Sequence, residues 1–462
     1  MINFKQFQFL TSFLLVVFVL STASFAQDTS QVLSLEDCIN IALEKNSTLR
    51  VSRFSDEAAN KDVLGSYSGI LPTISVSANK GNRISGPAEY LGDVQVDTNE
   101  TGGAIYDQRV ITAPRTEREY NSASLSIDQN IFDGGIWWNK IRKAKTDKES
   151  SKFNLLGQLN DVVLQVQQAY FNLNKQIKLL EVYEVAVTRS QAQLDRTEKM
   201  YELGATAQLD VFQARVNLGN DRILLLQQKN TLDQAKKDLN LVMGQDPFTP
   251  LQISTDINLK TDIQDSEELI QIALENHPTI KQDEANIKSN GLSVSLAKGS
   301  YYPRLYGYVD YQRSNEDLSR VYKNYDKNYT VTYGVGLSLN LFNGFSDYVT
   351  VQKAKIAQKT QEEQFEAYKR TLASEIEQYY ADYKSYLDII EINKQNLDAA
   401  KEEMRLAEER YQIGAGTALE VREAQVNLTR AEEILIAAQF NARIVLAQLE
   451  NGLGMTYKKY AE

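Results

Sequence analysis

With 462 residues, 61 acidic against 50 basic side chains and no basic cluster, the chain is not built to hold nucleic acid. A single cysteine, Cys38, and a single histidine, His277, exclude a disulfide framework and a zinc site. The length admits two or three ordinary domains, or one elongated and duplicated one.

Residues 1–26 read as a secretion signal. Lys5 supplies a thin positive region, Phe9 to Leu20 an apolar core, and Ser24-Phe25-Ala26 a small-x-small cleavage site before Gln27. That core is too short to span a bilayer comfortably as a helix. No cysteine follows the cleavage site, so no N-terminal lipid anchor is expected, and no later apolar run is long enough to cross as a helix. Residues 27–71 read as helices. Cys38 is expected there as a small buried apolar residue rather than a nucleophile.

From residue 72 to 132 the apolar period becomes two. Ile74, Val76 and Ala78 alternate with Thr73, Ser75, Ser77 and Asn79; Ala123, Leu125 and Ile127 alternate with Ser122, Ser124, Ser126 and Asp128. The expectation is a hairpin whose long connection, Gly81 to Glu119, is an acidic mobile loop carrying Asp93, Asp97, Glu100 and Asp107. Residues 133–243 then read as one long helix to Leu203, a turn at Leu203-Gly204-Ala205-Thr206 and a return helix. No proline interrupts Gly134 to Leu203, and at 1.5 Å per residue such a helix reaches about 100 Å. Val166, Ala169, Leu173, Ile177, Leu180, Val187 and Leu194 keep coiled-coil spacing along it. On the return helix Ala214, Leu218, Leu225, Leu232, Ala235 and Leu239 hold a heptad that Asp221 and Gln228 interrupt.

Residues 244–265, with Pro247 and Pro250, read as a connector, and then everything returns. Residues 266–302 repeat the first helices: Glu36 to Glu44 reappears as Glu267 to Glu275, an offset of 231. His277, before Pro278 at a helix start, is expected to cap or to lie at the surface. Residues 303–342 repeat the hairpin, most clearly in Val331, Tyr333, Val335, Leu337, Leu339 and Leu341, with a loop near Gln312 to Asn328. Asn130-Ile131-Phe132-Asp133-Gly134 returns as Asn340-Leu341-Phe342-Asn343-Gly344, where the offset has dropped to 210. Residues 343–453 repeat the long helix, the turn Ile413-Gly414-Ala415-Gly416 and the return helix, leaving a tail at 454–462. Ala424, Leu428, Ala431, Leu435, Ala438, Ala442, Val445 and Leu449 form an unbroken heptad there.

The four strands suit either a small soluble sandwich or a membrane barrel. Secretion, the lack of membrane helices and the aromatics at the strand ends favour the barrel: Phe132, Trp137, Trp138 and Phe342 fall where interface girdles form. Four strands in lipid leave two open edges, so one chain cannot close and must oligomerise. Two copies would give a filled barrel; three would give twelve strands and room for water. The Ser, Thr, Gly and Asn faces suit the wet bore.

In the duplicated helix, hairpin, helix, turn and helix unit, the Phe-Asx-Gly junctions and the two glycine turns, the chain resembles the TolC-type outer-membrane efflux proteins over nearly all of its mature length. The resemblance implies a mixed α and β membrane protein: a homotrimer with a twelve-stranded β-barrel in outer-membrane lipid, continued by a long α-helical coiled-coil barrel through the periplasm. It implies as partners a periplasmic adaptor (membrane fusion) protein and an inner-membrane pump, in an efflux or type I secretion system. Leu203, Gly204, Ala205, Ile413, Gly414 and Ala415 match the adaptor-docking tips. Glu420 and Glu423, spaced i, i+3, match an acidic constriction ring, and Asp210 with Tyr411 matches an entrance lock. An arginine that assists this lock in the best-known member of the family is replaced here by Gly416. No catalytic residues, cofactor or metal site are expected. A secreted coiled-coil structural protein of the envelope is the competing reading; it leaves the lipid-type strands unused.

Overall fold

A computed structural model describes residues 32–255, 264–323 and 325–456. The expected signal segment, part of the connector and most of the tail lie outside these. The chain divides into two compact units, one of Met1–Ser52, Leu156–His277 and Thr371–Glu462, the other of Arg53–Leu155 and Pro278–Arg370.

In the first unit, a capping box starts α1 (Leu35–Lys45): the Asp37 amide donates to Ser34 Oγ at 3.2 Å, and the Ser34 amide to Asp37 Oδ2 at 2.9 Å. The Ser34 hydroxyl, donating to Asp37 Oδ2 at 2.6 Å, and then the Ser34 amide hold the Asp37 carboxyl below its ordinary range. Asn46 then accepts from the Leu49 amide at the start of α2 (Ser47–Ser66), while its Nδ2 donates to the Val242 carbonyl at 2.8 Å. Cys38 is buried, and desolvation pushes its thiol up to about 12, so it stays protonated and inert. A short parallel pair, β1 (Val32–Leu33) with β6 (Gln252–Ile253), ties the described part of the connector to the segment before α1.

Two coiled hairpins dominate this unit. The first is made by α3 (Ile136–Glu202) and α4 (Gln208–Val242). The second is made by α8 (Ser346–Gln412) and α9 (Ala418–Gly452). The heptad positions are the packed ones. Leu194 meets Val211, Ala214 and Leu218 in the first, with Val187 beside them. In the second, Ala400, Met404, Ala407 and Tyr411 meet Val421, Ala424 and Leu428. Farther along, Tyr383 and Ile390 meet Ala438, Ala442 and Leu446.

The second unit holds the helix α6 (Pro278–Lys298) and a four-stranded antiparallel sheet in the order β2 (Thr73–Ser85), β5 (Thr116–Phe132), β7 (Arg304–Asn315), β8 (Tyr329–Ser338). Register puts Ile74, Val76, Leu125, Ile127, Val309, Tyr311, Val331 and Tyr333 on one face. That face is uncovered: Val76 is 77% and Tyr333 78% exposed. β8 stops at Ser338 rather than running on to Leu341 as the alternation suggested. Each Phe-Asx-Gly motif is the junction from strand to long helix. Asp133 Oδ2 accepts the Trp137 amide at 2.9 Å, and Gly134 turns the chain with φ +74°. A Cβ at Gly134 would lie 2.4 Å from the Gly299 carbonyl oxygen, so no other residue fits. The aromatics around these junctions pair edge to face, Trp137 on Trp138 and Phe342 on Phe345, each at 5.4 Å.

The first connection is not the mobile loop expected from sequence. β2 and β5 extend to Ser85 and Thr116, and β3 (Ala88–Thr98) pairs with β4 (Ala104–Ala113) beyond them. Pro87 and Pro114 fall at facing positions of the continued register. Neither has an N–H to give, so the ladder breaks there and resumes. The acidic residues among β3 and β4 masked their alternation. The second connection is shorter and is folded around Arg313. Its buried guanidinium reaches the carbonyls of Arg320, Lys323 and Lys327 and stacks on Tyr325 at 5.0 Å, with the short α7 (Leu318–Tyr322) between.

His277 closes α5 (Ser266–Asn276): its backbone N–H donates to the Ala273 carbonyl at 2.9 Å. The capping expectation describes it, with burial added. Desolvation lowers its pKa from 6.5 to about 4. The unfolded chain then binds a proton that the folded one refuses, so stability falls as pH drops through 6.5 towards 4. Thermal unfolding followed by circular dichroism should show this loss, and His277→Gln should flatten it over that window.

Candidate functional site

The two helix-to-helix turns are built alike. Gly204 and Gly414 have φ of +74° and +75° with open space around them. The Ala205 and Ala415 amides reach back to the Met200 and Arg410 carbonyls at 2.8 and 2.9 Å, the bond that closes a Schellman turn. Leu203 and Ile413 stand out at 83% and 80% exposure.

After the turns the helices are capped differently. In the first, Asp210 stands at the third helical position and its carboxylate accepts the Thr206 hydroxyl and, at 3.3 Å, the Ala207 amide. In the second, Thr417 Oγ1 accepts the Glu420 amide at 3.2 Å. The expected bond between Asp210 and Tyr411 is therefore not formed. Asp210 is spent on its own helix start, while Tyr411 lies in the second hairpin's core, 5% exposed, with a buried hydroxyl that has no partner among the described residues.

Gly416, the departure from the family pattern, has a local reason. A Cβ there would come within 3.1 Å of Arg410 Cβ, Glu420 Oε2 and the Tyr411 nitrogen. The empty position lets Arg410 reach across the turn to Glu420, at 3.6 Å, and to the Ala415 carbonyl at 3.1 Å. Glu420 thus carries a partly exposed ion pair. Glu423 is exposed on the same helix and makes no ion pair among the described residues.

The strongest contact between the two hairpins was only half visible in the sequence. Asp221, the residue that breaks the first heptad, is buried and receives Arg422 of α9 in a bidentate pair at 2.6 and 2.9 Å. It also accepts the Ser190 hydroxyl from α3. Nearby, Arg189 of α3 meets Glu432 of α9 at 3.5 Å. Gln228, the second interruption, donates to Gln176 at 2.9 Å within its own hairpin. A polar residue in a coiled seam needs a partner, and that requirement marked both positions. Nothing in the sequence pointed to Arg422, some 200 residues away, as the partner of Asp221.

A buried carboxylate bound this closely by a partly exposed guanidinium is costly to strip of its partner. Asp221→Ala leaves Arg422 unpaired and should cost about 3–5 kcal/mol. Asp221→Leu combined with Arg422→Met removes both charges and should recover most of that loss. Thermal unfolding of the three proteins decides the matter: a double variant as unstable as Asp221→Ala would mean that packing, not charge pairing, holds the hairpins together.

Comparison with known proteins agrees with this architecture. The chain is 21% identical over 431 residues to a probable efflux pump outer membrane protein, TtgC, of Pseudomonas putida, covering 91% of this chain and 83% of that one. It is 21% identical over 441 residues to the outer membrane protein TolC of Vibrio cholerae, covering 94% and 92%. In structure it resembles the Campylobacter jejuni CmeC outer membrane channel, with a TM-score of 0.76, 18% identity, and coverage of 91% and 85%. The Neisseria gonorrhoeae MtrE outer membrane channel in its open state gives a TM-score of 0.72 over 91% and 88%. The sequence pattern of the family described as outer membrane efflux protein matches residues 38–245 and 269–455, one match on each repeat. The chain belongs to the outer membrane efflux protein family.

Proposed function

We propose that the protein is a passive exit duct, three copies closing a twelve-stranded barrel through the outer membrane above a periplasmic helical tube. The observation that carries this is the sheet: one face is apolar and uncovered, and β2 and β8 end it with no partner strand among the described residues. Lipid suits the face, but open edges in lipid cost several kcal/mol per unpaired group. Neighbouring copies remove both edges at once, and twelve strands leave an aqueous bore where eight would be filled by side chains.

The tips support docking to a periplasmic adaptor and, through it, an energised inner-membrane pump. Leu203 and Ile413 offer the apolar contact, on turns that Gly204, Ala205, Gly414 and Ala415 hold rigid. Glu420 and Glu423 serve as a ring of six carboxylates at the constriction, favouring cations. Holding the entrance shut falls to Arg422 and Asp221 in place of Tyr411 and Asp210, since a bond across the two hairpins must break before they can part. Phe132, Trp137, Trp138 and Phe342 cluster at the strand-to-helix junctions, at the depth of a lipid interface. The names of the relatives point to efflux as the task; the cargo is set by the pump.

The native mass of the mature protein, extracted from outer membranes in mild detergent, tests the reading. Three copies per particle are expected, and a detergent-free monomer would sink it. In planar bilayers, Glu420→Gln with Glu423→Gln should cut cation preference about several-fold while the pore still opens. An unchanged reversal potential would put selectivity elsewhere.

A further inference from the structure

We infer that the polar face of the four-stranded sheet carries a binding track for planar, cationic aromatic compounds, formed by Tyr306 and Tyr308 with Asp128 and Asp310. The inference deepens the duct reading, on which this face lines the bore. Register places Tyr306 opposite Gly336 and Tyr308 opposite Gly334 on one side and Asp128 on the other, with Asp310 the next residue up on the same face. Both rings lie down across the neighbouring strand. A Cβ at Gly336 would be 2.4 Å from Tyr306 Cζ, and one at Gly334 would be 2.9 Å from the Tyr308 hydroxyl oxygen.

Glycine is a poor strand residue unless something covers it, and a cross-strand aromatic does so. Covering uses only one face of each ring. The other is open to approach: Tyr306 is 44% exposed, Tyr308 is half-buried, and the two rings follow each other at 6.4 Å between centroids. Flat rings with free π faces attract flat partners and cations. The charges beside them select the cation. Asp128 and Asp310 make no hydrogen bond or ion pair among the described residues, so both carboxylates are available. Arg304, two residues below Tyr306 on this face, opposes them but is outnumbered. At the other end Tyr120 covers Gly81 in the same way, but Arg83 and Arg118 face each other one step beyond. A cation is therefore favoured only at the Tyr306 end.

Ethidium, a planar cation, is the probe, titrated by fluorescence anisotropy into the purified full-length protein, with tetraethylammonium and fluorescein as non-planar and anionic competitors. Tyr306→Ser with Tyr308→Ser, and separately Asp128→Asn with Asp310→Asn, should each weaken ethidium binding about tenfold or more. Tyr306→Phe with Tyr308→Phe keeps the rings and should bind as the parent does, which separates loss of the π face from loss of the fold. Ethidium binding that survives the serine pair, or fluorescein that competes as well as a cation, overturns the track. Binding is read independently of assembly. A monomeric particle that binds ethidium overturns the duct reading alone, and a trimer that does not bind it overturns the track alone.

Discussion

A strand edge can be left open in water, where solvent bonds its N–H and C=O groups, but not in hydrocarbon, where nothing does. The four-stranded sheet has two such edges and an apolar face of exposed Ile74, Val76, Val331, Tyr333, Val335 and Leu337. That combination ties the rest of the molecule to assembly. A single copy of this sheet has no stable environment of its own: water is wrong for the face and lipid is wrong for the edges.

The helical part solves a different problem. A coiled seam of Ala, Leu and Val packs each return helix onto its long partner with little to distinguish one register from another. Polar residues inside the seam supply the distinction. Gln228 matches Gln176 within a hairpin, whereas Asp221 reaches outside its own hairpin to Arg422. Buried pairs of this kind add little net stability compared with apolar packing, but they are intolerant of misalignment. With the pair of Arg189 and Glu432, the contact ties one repeat to the other by charge.

The two turns place their charges differently. With glycine at 416, Arg410 crosses the turn to Glu420. Asp210 is occupied by its own helix start, and the charge pair between the hairpins lies at Asp221 and Arg422. The turn itself keeps its left-handed glycine, Gly414, like Gly204 in the first repeat.

Periodicity and duplication made the architecture legible. Seven-residue spacing named the hairpin cores, alternation named four strands, and the glycines after Phe132-Asp133 and Phe342-Asn343 named the junctions. These are local rules, in which each residue constrains neighbours three or four positions away, or two in a strand. The β3 and β4 ribbon escaped because carboxylates on a solvated strand carry no hydrophobic period. The pairing of Asp221 with Arg422 and the tyrosines lying over Gly334 and Gly336 escaped for a deeper reason. Each depends on which surfaces the fold brings together across long sequence separations or neighbouring strands. The sequence by itself determined the elements, their lengths and the faces they would bury. Only the tertiary structure decided which polar groups meet, because a charge or a ring has many possible partners until packing leaves it one.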